Sequence, residues 1–195
     1  MADAQRQADL FAVQAEQAMP EGFVYRQDVI SPDEERRFAE WFGLLPFAPF
    51  EFRGFVGRRR IVAFGWRYDY AGRQIRRAAN LPEPLLPLRE RAAQIAGLAP
   101  QSLQQALVTE YGPGAPIGWH RDKPMFQDVV AISFLSPCLL RLRRRVGASW
   151  ERRSLQVEPR SAYVLRGSAR TEWEHSIPPV SALRYSVTFR NLHGA

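Results

Sequence analysis

The chain has 195 residues, with 27 lysines and arginines against 20 aspartates and glutamates, and 46% of its residues are hydrophobic. This length and apolar content suit one globular domain and exclude a wholly disordered chain. The single cysteine excludes an intramolecular disulfide and a cysteine-rich zinc site, and it is typical of a reducing compartment. No apolar run is long enough to cross a bilayer and no signal-peptide pattern is present, so we expect a cytoplasmic protein.

The positive charge lies almost wholly on arginine, because Lys123 is the only lysine. The formal net charge of +7 is compatible with an anionic partner such as nucleic acid, since the arginine fork pairs with phosphate and carboxylate oxygens through two hydrogen bonds. A biased genome explains the same composition, because alanine, arginine and proline are all abundant. The charge therefore leaves both interpretations open.

In chain order, a segment of little chemical content comes before a well-marked helix. Residues 1–20, rich in alanine and glutamine, predict a flexible arm, and residues 21–195 predict a single domain. Ser31 is a favourable N-cap, Pro32 suits the first helical position and Glu34 completes a capping box. Apolar residues then recur at helical spacing, which predicts an amphipathic helix belonging to the scaffold.

The pattern changes to period two over residues 50–70, which predicts a strand with one almost wholly aromatic face. A second helix is predicted over residues 83–96 and ends at Gly97. Beyond it the chain consists of short apolar strands and turns, without an internal repeat or a linker. Short antiparallel strands after two helices predict an α+β fold, mainly β, with a sandwich or jelly roll and N-terminal helices packed on one side.

Two of the three histidines are candidates for one metal site. His120 stands two residues before Asp122, so on a strand both side chains would point to the same face. His175, in another strand-like segment, would complete a set of two imidazoles and one carboxylate, the pattern of non-haem Fe(II) oxygenases. His193 lies near the C-terminal end and is set aside. On spacing alone, these histidines could equally be ordinary core or surface residues.

Polar side chains occupy alternate positions in the last strand-like segment. Arg184, Ser186, Thr188 and Arg190 share one face, and apolar or aromatic residues share the other. Inward-facing arginines are unfavourable without an anionic ligand, and a dicarboxylate would supply that partner. A solvent-facing edge strand is the alternative, because arginine is tolerated and protective there.

Four motifs in a fixed order carry a resemblance to a known family. The motifs are Tyr111-Gly-Pro-Gly, His120-x-Asp122-Lys123, His175-Ser-Ile-Pro and Arg184-x-Ser-x-Thr-x-Arg190. From about Phe47 to Leu192 the chain resembles the AlkB family of Fe(II)/2-oxoglutarate-dependent dioxygenases. The resemblance implies a double-stranded β-helix and an enzyme that uses Fe(II), the cosubstrate 2-oxoglutarate and O2. It also implies that the two imidazoles and the carboxylate named above ligate the iron.

A cosubstrate site is implied by the same resemblance. Arg184 is similar to the residue that pairs with the distal carboxylate of 2-oxoglutarate, and Tyr111 adds a hydrogen bond there. Arg190 is similar to the arginine near the other carboxylate and the ligand aspartate. Ser186 and Thr109 stand at cosubstrate-binding positions where AlkB itself has asparagine, so this chain departs from the family there.

The aromatic segment around Trp66 resembles the nucleotide-recognition lid of the family. Trp66 and Tyr68 are predicted to contact a base or the backbone and Arg67 a phosphate, with a buried aromatic strand as the alternative. Pro124 replaces an acidic residue that AlkB has near the base, so no base preference is carried over. A basic hairpin could clamp a second strand or form a solvated edge, and its arginines are Arg141, Arg143, Arg144, Arg145, Arg152 and Arg153.

The leading functional hypothesis is oxidative demethylation of N-alkylated bases in DNA or RNA, with release of formaldehyde, succinate and CO2. The partner is then nucleic acid carrying N-alkylated bases; we expect a monomer with no membrane association and no obligate protein partner. The same oxygenase centre acting on a protein or another non-nucleic substrate is the alternative, and a non-catalytic nucleic-acid binder is a third hypothesis. Succinate release with and without methylated oligonucleotides distinguishes the three.

Overall fold

The computed structural model describes residues 18–52, 55–69, 72 and 74–193. Residues 1–17 of the predicted N-terminal arm lie outside the described residues. The strands within it are, in chain order, β1 (Phe23–Arg26), β2 (Ala48–Phe52), β3 (Phe55–Phe64), β4 (Trp66–Asp69), β5 (Gln74–Arg77), β6 (Gln105–Tyr111), β7 (Ile117–His120), β8 (Phe126–Phe134), β9 (Cys138–Val146), β10 (Ser149–Val157), β11 (Ala162–Leu165), β12 (Glu174–Ile177) and β13 (Arg184–Leu192).

Both predicted helices are confirmed. The Ser31 hydroxyl accepts a hydrogen bond from the Glu34 amide at 3.2 Å, and the Glu34 carboxylate accepts one from the Ser31 amide at 2.7 Å, so the capping box is closed. Gly97 ends the second helix in the left-handed conformation, with φ of 64°. No helix in the described ranges is long and apolar enough to cross a membrane. The α-helices are α1 (Pro32–Phe42), α2 (Leu86–Ala96) and the short α3 (Gly167–Thr171).

Two antiparallel sheets form the body of the molecule. The major sheet has the strand order β1-β11-β8-β13-β6-β3-β2, and the minor sheet has the order β10-β9-β12-β7. Neighbours in these sheets are mostly distant in sequence, as in a jelly roll, and the predicted fold class is confirmed. Strands β4 and β5 form a separate two-stranded hairpin, here named the lid hairpin.

Alternation along the strands gives the major sheet two buried faces. One face packs on α1 and α2, where Phe42 and Leu88 meet Val187 of β13. The other face packs on the minor sheet, where Val129 of β8 belongs to the same cluster as Leu142 of β9. The helices therefore cover the outside of the major sheet, and the space between the two sheets is left for a site.

The single strand predicted over residues 50–70 is wrong. The chain is interrupted at Gly65, which has φ of 74° and donates its amide to the Ala79 carbonyl at 2.6 Å. A Cβ at this position would overlap the carbonyl oxygen of Gln104, so the break requires glycine. The aromatic residues beyond Gly65 consequently belong to the lid hairpin instead of continuing β3.

The edge-strand alternative for the last segment is also wrong. Strand β13 is paired with β6 on one side and β8 on the other. Its four alternating polar residues are 0–9% exposed, so they are buried between the sheets. Burial of this many polar groups marks the inter-sheet face of β13 as part of a site.

Candidate active site

A cavity of about 490 Å³ lies between the two sheets and extends to the lid hairpin. Its walls come from the major sheet at Thr109 and Ser186, which are Cα partners on β6 and β13, and from the minor sheet at Ile117 and Ile177. Thr188 of β13 lines it too. These wall residues all lie on strands of the two jelly-roll sheets, whereas Arg67 and Tyr68 of the lid hairpin line the cavity at its edge.

Three potential metal ligands meet in the cavity. His120 ends β7, and His175 stands opposite it on β12, with ring centres 4.2 Å apart. Asp122 follows in the loop beyond β7, and its Oδ2 lies 3.7 Å from Nε2 of His175. One ligand atom of each residue lies within 4.8 Å of the others, so the three can hold one ion. The strand ends before Asp122, and a loop, not strand alternation, brings its carboxylate to the histidines.

The hydrogen bonding of His120 and the lowered pKa of His175 suit metal binding. Nδ1 of His120 lies 2.9 Å from the carbonyl oxygen of Gly118, which favours a proton on Nδ1 and leaves Nε2 as the ligand atom. The pKa of His175 is lowered to about 3: burial lowers it most, the nearby His120 lowers it too, and Asp122 raises it by less. A neutral imidazole is the form that binds a metal.

The carboxylate is held in its anionic form. Burial alone would raise the pKa of Asp122, but Arg190 and the nearby His175 outweigh it, and the pKa lies well below its ordinary value. Arg190 donates a hydrogen bond from Nε to Oδ1 of Asp122 at 3.1 Å, and its Nη2 forms an ion pair with the same oxygen at 2.8 Å. This two-point contact leaves Oδ2, which faces His175, as the ligand oxygen.

Two buried residues that the sequence analysis missed support this arrangement. Gln105 accepts a hydrogen bond from Nη1 of Arg190 at 2.9 Å and donates one to the Trp66 carbonyl at 2.9 Å, so it links Arg190 to the lid hairpin. Arg170 donates to the carbonyls of Lys123 at 2.6 Å and Phe126 at 2.8 Å, which fixes the loop that carries the ligand aspartate. Both contacts are long-range, so no local sequence pattern reveals them.

Arg184 has an unusual environment for an arginine. It is 0% exposed, and its Nε and Nη2 donate to the Ser133 hydroxyl at 3.1 Å and 2.7 Å. Its guanidinium carbon lies 4.8 Å from the ring centre of Tyr111, which lines the cavity. Nη1 of Arg184 is buried and has no hydrogen-bond partner among the described residues. A buried, unsatisfied donor beside a cavity fits an anionic ligand that supplies the missing acceptor.

Ser133 was also missed by the sequence analysis, although a signal was present. It is a polar residue inside the apolar run of β8 and is 1% exposed. A hydroxyl in a buried strand requires a partner, and the buried Arg184 is that partner.

The residues predicted to contact substrate are not all in one place. Tyr68 and Arg67 line the cavity, and Nζ of Lys123 lies 4.7 Å from the ring centre of Tyr68. Trp66 does not line it, because its ring packs against the Arg77 guanidinium at 4.8 Å in a separate depression. Both residues lie on β4, but only Tyr68 lines the cavity; the predicted substrate contact of Trp66 stays a prediction. Tyr70, the last aromatic residue of the pattern, lies outside the described residues.

Comparison with known proteins agrees with this donor set. The model of the 2OG-Fe(II) oxygenase superfamily matches residues 48–190, a span that contains all three metal-facing residues and Arg184. The chain belongs to the 2OG-Fe(II) oxygenase superfamily. This oxygenase is thus an enzyme of the Fe(II), 2-oxoglutarate and O2 class, and its two imidazoles, one carboxylate and unsatisfied guanidinium fit the metal and the dicarboxylate.

Curated relatives are AlkB-like, which confirms the resemblance predicted from the sequence. The "alkylated DNA repair protein ALKBH8 homolog" of Arabidopsis thaliana is 28% identical over 147 residues, covering 63% of this chain and 42% of the relative. The mouse "tRNA (carboxymethyluridine(34)-5-O)-methyltransferase ALKBH8" is 24% identical over 170 residues, covering 84% of this chain and 25% of that protein. The oxygenase thus spans less than half the length of these two relatives.

A viral protein and a solved structure match over more of their length. Protein L905 of Acanthamoeba polyphaga mimivirus is 24% identical over 198 residues, covering 88% of this chain and 85% of the relative. The solved structure of OsALKBH1 superposes with a TM-score of 0.66 at 17% identity, covering 90% of this chain and 99% of that structure. The structural match confirms the jelly-roll fold.

Proposed function

We propose that this oxygenase removes N-linked alkyl groups from bases of DNA or RNA by oxidative demethylation. The observation that carries the proposal is one cavity that joins the metal-facing residues to a basic and aromatic rim on the lid hairpin. The names of the Arabidopsis and mouse relatives refer to DNA repair and to tRNA, which agrees with a nucleic-acid substrate. The overall charge of +7 favours the same class of substrate.

Each metal-facing residue has a defined role in this proposal. His120, Asp122 and His175 would hold the Fe(II) through two imidazole nitrogens and one carboxylate oxygen. The chemistry supplied there is oxidative: one oxygen atom of O2 hydroxylates the substrate carbon, the other enters succinate, and 2-oxoglutarate loses CO2. A hydroxymethyl group on nitrogen then leaves as formaldehyde, and the proton returns to the nitrogen.

The cosubstrate is positioned by buried polar residues of the inter-sheet face. Arg184 donates its free Nη1 to the distal carboxylate, and Tyr111 adds its hydroxyl. Arg190 stands near the other carboxylate while it holds Asp122. Thr109 and Ser186 face each other on β6 and β13 and provide hydroxyls where AlkB itself has asparagine.

Residues at the rim of the cavity recognise the substrate. Tyr68 offers an aromatic ring for stacking a flipped base, and Arg67, which is exposed, offers its charge to a phosphate. Lys123 adjoins both the Tyr68 ring and the ligand loop, so it can place a second positive charge near the base. Trp66 lies outside the cavity, where its ring packs against Arg77.

The proposal is tested by product analysis with paired oligonucleotides. DNA and RNA 15-mers, each with one N-methylated base, are incubated with Fe(II), 2-oxoglutarate and O2, and their unmethylated counterparts serve as controls. We expect formaldehyde and demethylated oligonucleotide in equal amounts, together with succinate above the level of the controls. Asp122→Ala should give none of these products.

The alternative of a non-nucleic substrate predicts another result. Succinate would then form at the same rate with methylated, unmethylated or no oligonucleotide, and no formaldehyde would appear. Absence of any succinate with intact Fe(II) binding would support a non-catalytic binder instead. Either result would contradict the proposed demethylation.

A further inference from the structure

The outer face of the minor sheet carries an alternating stack of arginines and tryptophans. Arg141 and Arg143 both contact the Trp119 ring, with guanidinium carbons 5.1 Å and 4.3 Å from its centre. Arg143 also lies 4.2 Å from the centre of Trp150, and Arg145 lies 5.5 Å from it. These five residues are here named the arginine–tryptophan ladder.

The ladder follows from strand alternation. Its arginines occupy every second position of β9, and the residues between them, among them Leu140 and Leu142, are buried against the major sheet. Trp150 of β10 is the Cα partner of Arg145, which places both side chains on the outer face. Consecutive ladder arginines are therefore about 6.8 Å apart along the strand, at about 3.4 Å a residue.

Each ladder arginine is anchored on one edge of its guanidinium. Nε of Arg141 donates to the Ser176 hydroxyl at 3.1 Å, Nε of Arg143 to Glu174 at 2.8 Å, and Nε of Arg145 to the Gly147 carbonyl at 3.0 Å. Their Nη groups make no hydrogen bond within the part of the chain that the structure describes. Three oriented guanidiniums thus present unused donors along one line.

The charge on this face is unbalanced. Arg152 is the Cα partner of Arg143, so it joins the ladder arginines on the outer face. Against these four positive charges, Glu174 is the acidic residue paired with the ladder. Arg144 differs, because it faces the other way and is neutralised by Glu151 and Glu172 at 2.7 Å and 2.8 Å. The outer face therefore keeps a surplus of positive charge that the described residues do not neutralise.

We propose that the arginine–tryptophan ladder is a track for the sugar-phosphate backbone of a nucleic acid. The free Nη donors pair with phosphate oxygens, for which the arginine fork has the right geometry. The linear and regular spacing matches a repeating polyanion better than a single compact anion. The track reaches the active site, because Trp119 both belongs to the ladder and lines the cavity next to His120.

The ladder is suited to phosphates and not to bases. Arg143 contacts the rings of both Trp119 and Trp150. Arg141 adds a second contact to Trp119, and Arg145 adds one to Trp150. Guanidiniums therefore already cover at least one face of each tryptophan, which leaves less ring surface on which a base could stack. The tryptophans instead fix the planes of the arginines, which reduces the side-chain entropy lost when phosphate binds. Binding along the ladder should consequently be independent of sequence and of methylation.

The proposal rests on the proposed function only in its choice of nucleic acid as the partner, and a binding experiment tests it separately. A fluorescent unmethylated single-stranded 20-mer is titrated with the wild-type chain and with the double variant Arg141→Gln/Arg145→Gln at several salt concentrations. Each phosphate contact on a single strand contributes about 0.7 to the steepness of the plot of log affinity against log salt. Loss of two such contacts should therefore reduce that steepness by about 1.4. The affinity should fall equally for a methylated 20-mer.

A matched variant controls for the loss of two charges. Arg36→Gln/Arg37→Gln removes two exposed arginines from α1, which packs on the opposite side of the major sheet. We expect this control to bind the 20-mer nearly as the wild type does. Both double variants should keep the wild-type melting temperature and the succinate formation seen without oligonucleotide.

Several results would overturn the ladder proposal. These are no binding of the 20-mer by the wild type, an unchanged slope in the ladder variant, or an equal loss in the control. Ladder-dependent binding of anionic phospholipid vesicles without ladder-dependent binding of the 20-mer would assign the face to a lipid surface instead. Failure of demethylation is a different outcome: formaldehyde would be missing with every methylated oligonucleotide, while binding of the unmethylated 20-mer would still depend on the ladder.

Discussion

Among single residues, Arg190 has the widest influence on the iron site. It holds Asp122 as an anion through a hydrogen bond and an ion pair, and it orients the oxygen that faces His175. It is itself fixed by Gln105, which also binds the backbone of the lid hairpin. A single guanidinium therefore connects the metal-facing carboxylate to the element that forms the rim of the cavity.

Removal of a metal-facing side chain tests the ligand assignment. We expect His120→Ala and Asp122→Ala each to abolish Fe(II)-dependent succinate formation, because only two ligands would remain for the metal. His193→Ala is the matched control, since His193 is exposed and lies outside the metal-facing cluster. Turnover is measured at saturating 2-oxoglutarate, and circular dichroism checks the fold. Normal activity in either ligand variant would remove that residue from the assignment.

Arg184 is the residue on which cosubstrate affinity should depend most. Arg184→Met keeps much of the side-chain length but removes a charge-assisted pair worth about 1.5–3 kcal/mol. At 1.4 kcal/mol for each factor of ten, the KM for 2-oxoglutarate should rise roughly 10- to 100-fold. Ser133→Ala, which removes only the neutral partner of Arg184, should raise it less. An unchanged KM in Arg184→Met would contradict the role of its free Nη1.

The sequence predicts residues of this site unequally. His120, Asp122 and His175 could be predicted because their residue types and order are specific to one kind of metal centre. Ser133 and Gln105 could not, because a serine and a glutamine have no distinctive chemistry until the fold brings an arginine to each. Their partners are 51 and 85 residues away in the chain.

At the scale of elements, local signals predicted the fold wherever the element is determined locally. Helix α1 is determined by its capping box, and β13 by alternation between polar and apolar residues. The prediction of a single strand over residues 50–70 was wrong because the period-two pattern continues across Gly65, whereas the strand does not. The break depends on the Gln104 carbonyl, which approaches Gly65 from a distant loop. Only the folded chain contains that contact.

Gly65 can be tested against a second glycine with a similar backbone conformation. Gly65→Ala and Gly97→Ala both place alanine at positive φ, which costs about 1–2 kcal/mol. An alanine Cβ at Gly97 meets no atom within 4 Å, whereas at Gly65 it would overlap the Gln104 carbonyl oxygen. We expect Gly65→Ala to reduce the free energy of unfolding clearly more than Gly97→Ala does. If urea unfolding gave equal losses of unfolding free energy for the two variants, the Gln104 carbonyl would be able to move away from position 65 at no energetic cost.

For the whole molecule, the active site is the place where the two sheets cooperate. The metal-facing histidines belong to the minor sheet, and Arg184 and Arg190 belong to β13 of the major sheet. Away from the site, the two sheets are held together by apolar packing, as in the cluster that contains Val129 and Leu142. A cosubstrate that binds the metal at one end and Arg184 at the other would therefore tie one sheet to the other.

Ligand-induced stability tests this connection between the sheets. Without O2, Fe(II) at 100 times its Kd should raise the free energy of unfolding by about 2.7 kcal/mol, and 2-oxoglutarate at the same excess should add a similar amount. The second increment should require Fe(II), because the metal supplies one of the two ends that the cosubstrate needs. Arg184→Met should keep the Fe(II) increment and lose most of the other. If 2-oxoglutarate stabilised this variant as fully as the wild type, the cosubstrate would not bridge the sheets through Arg184.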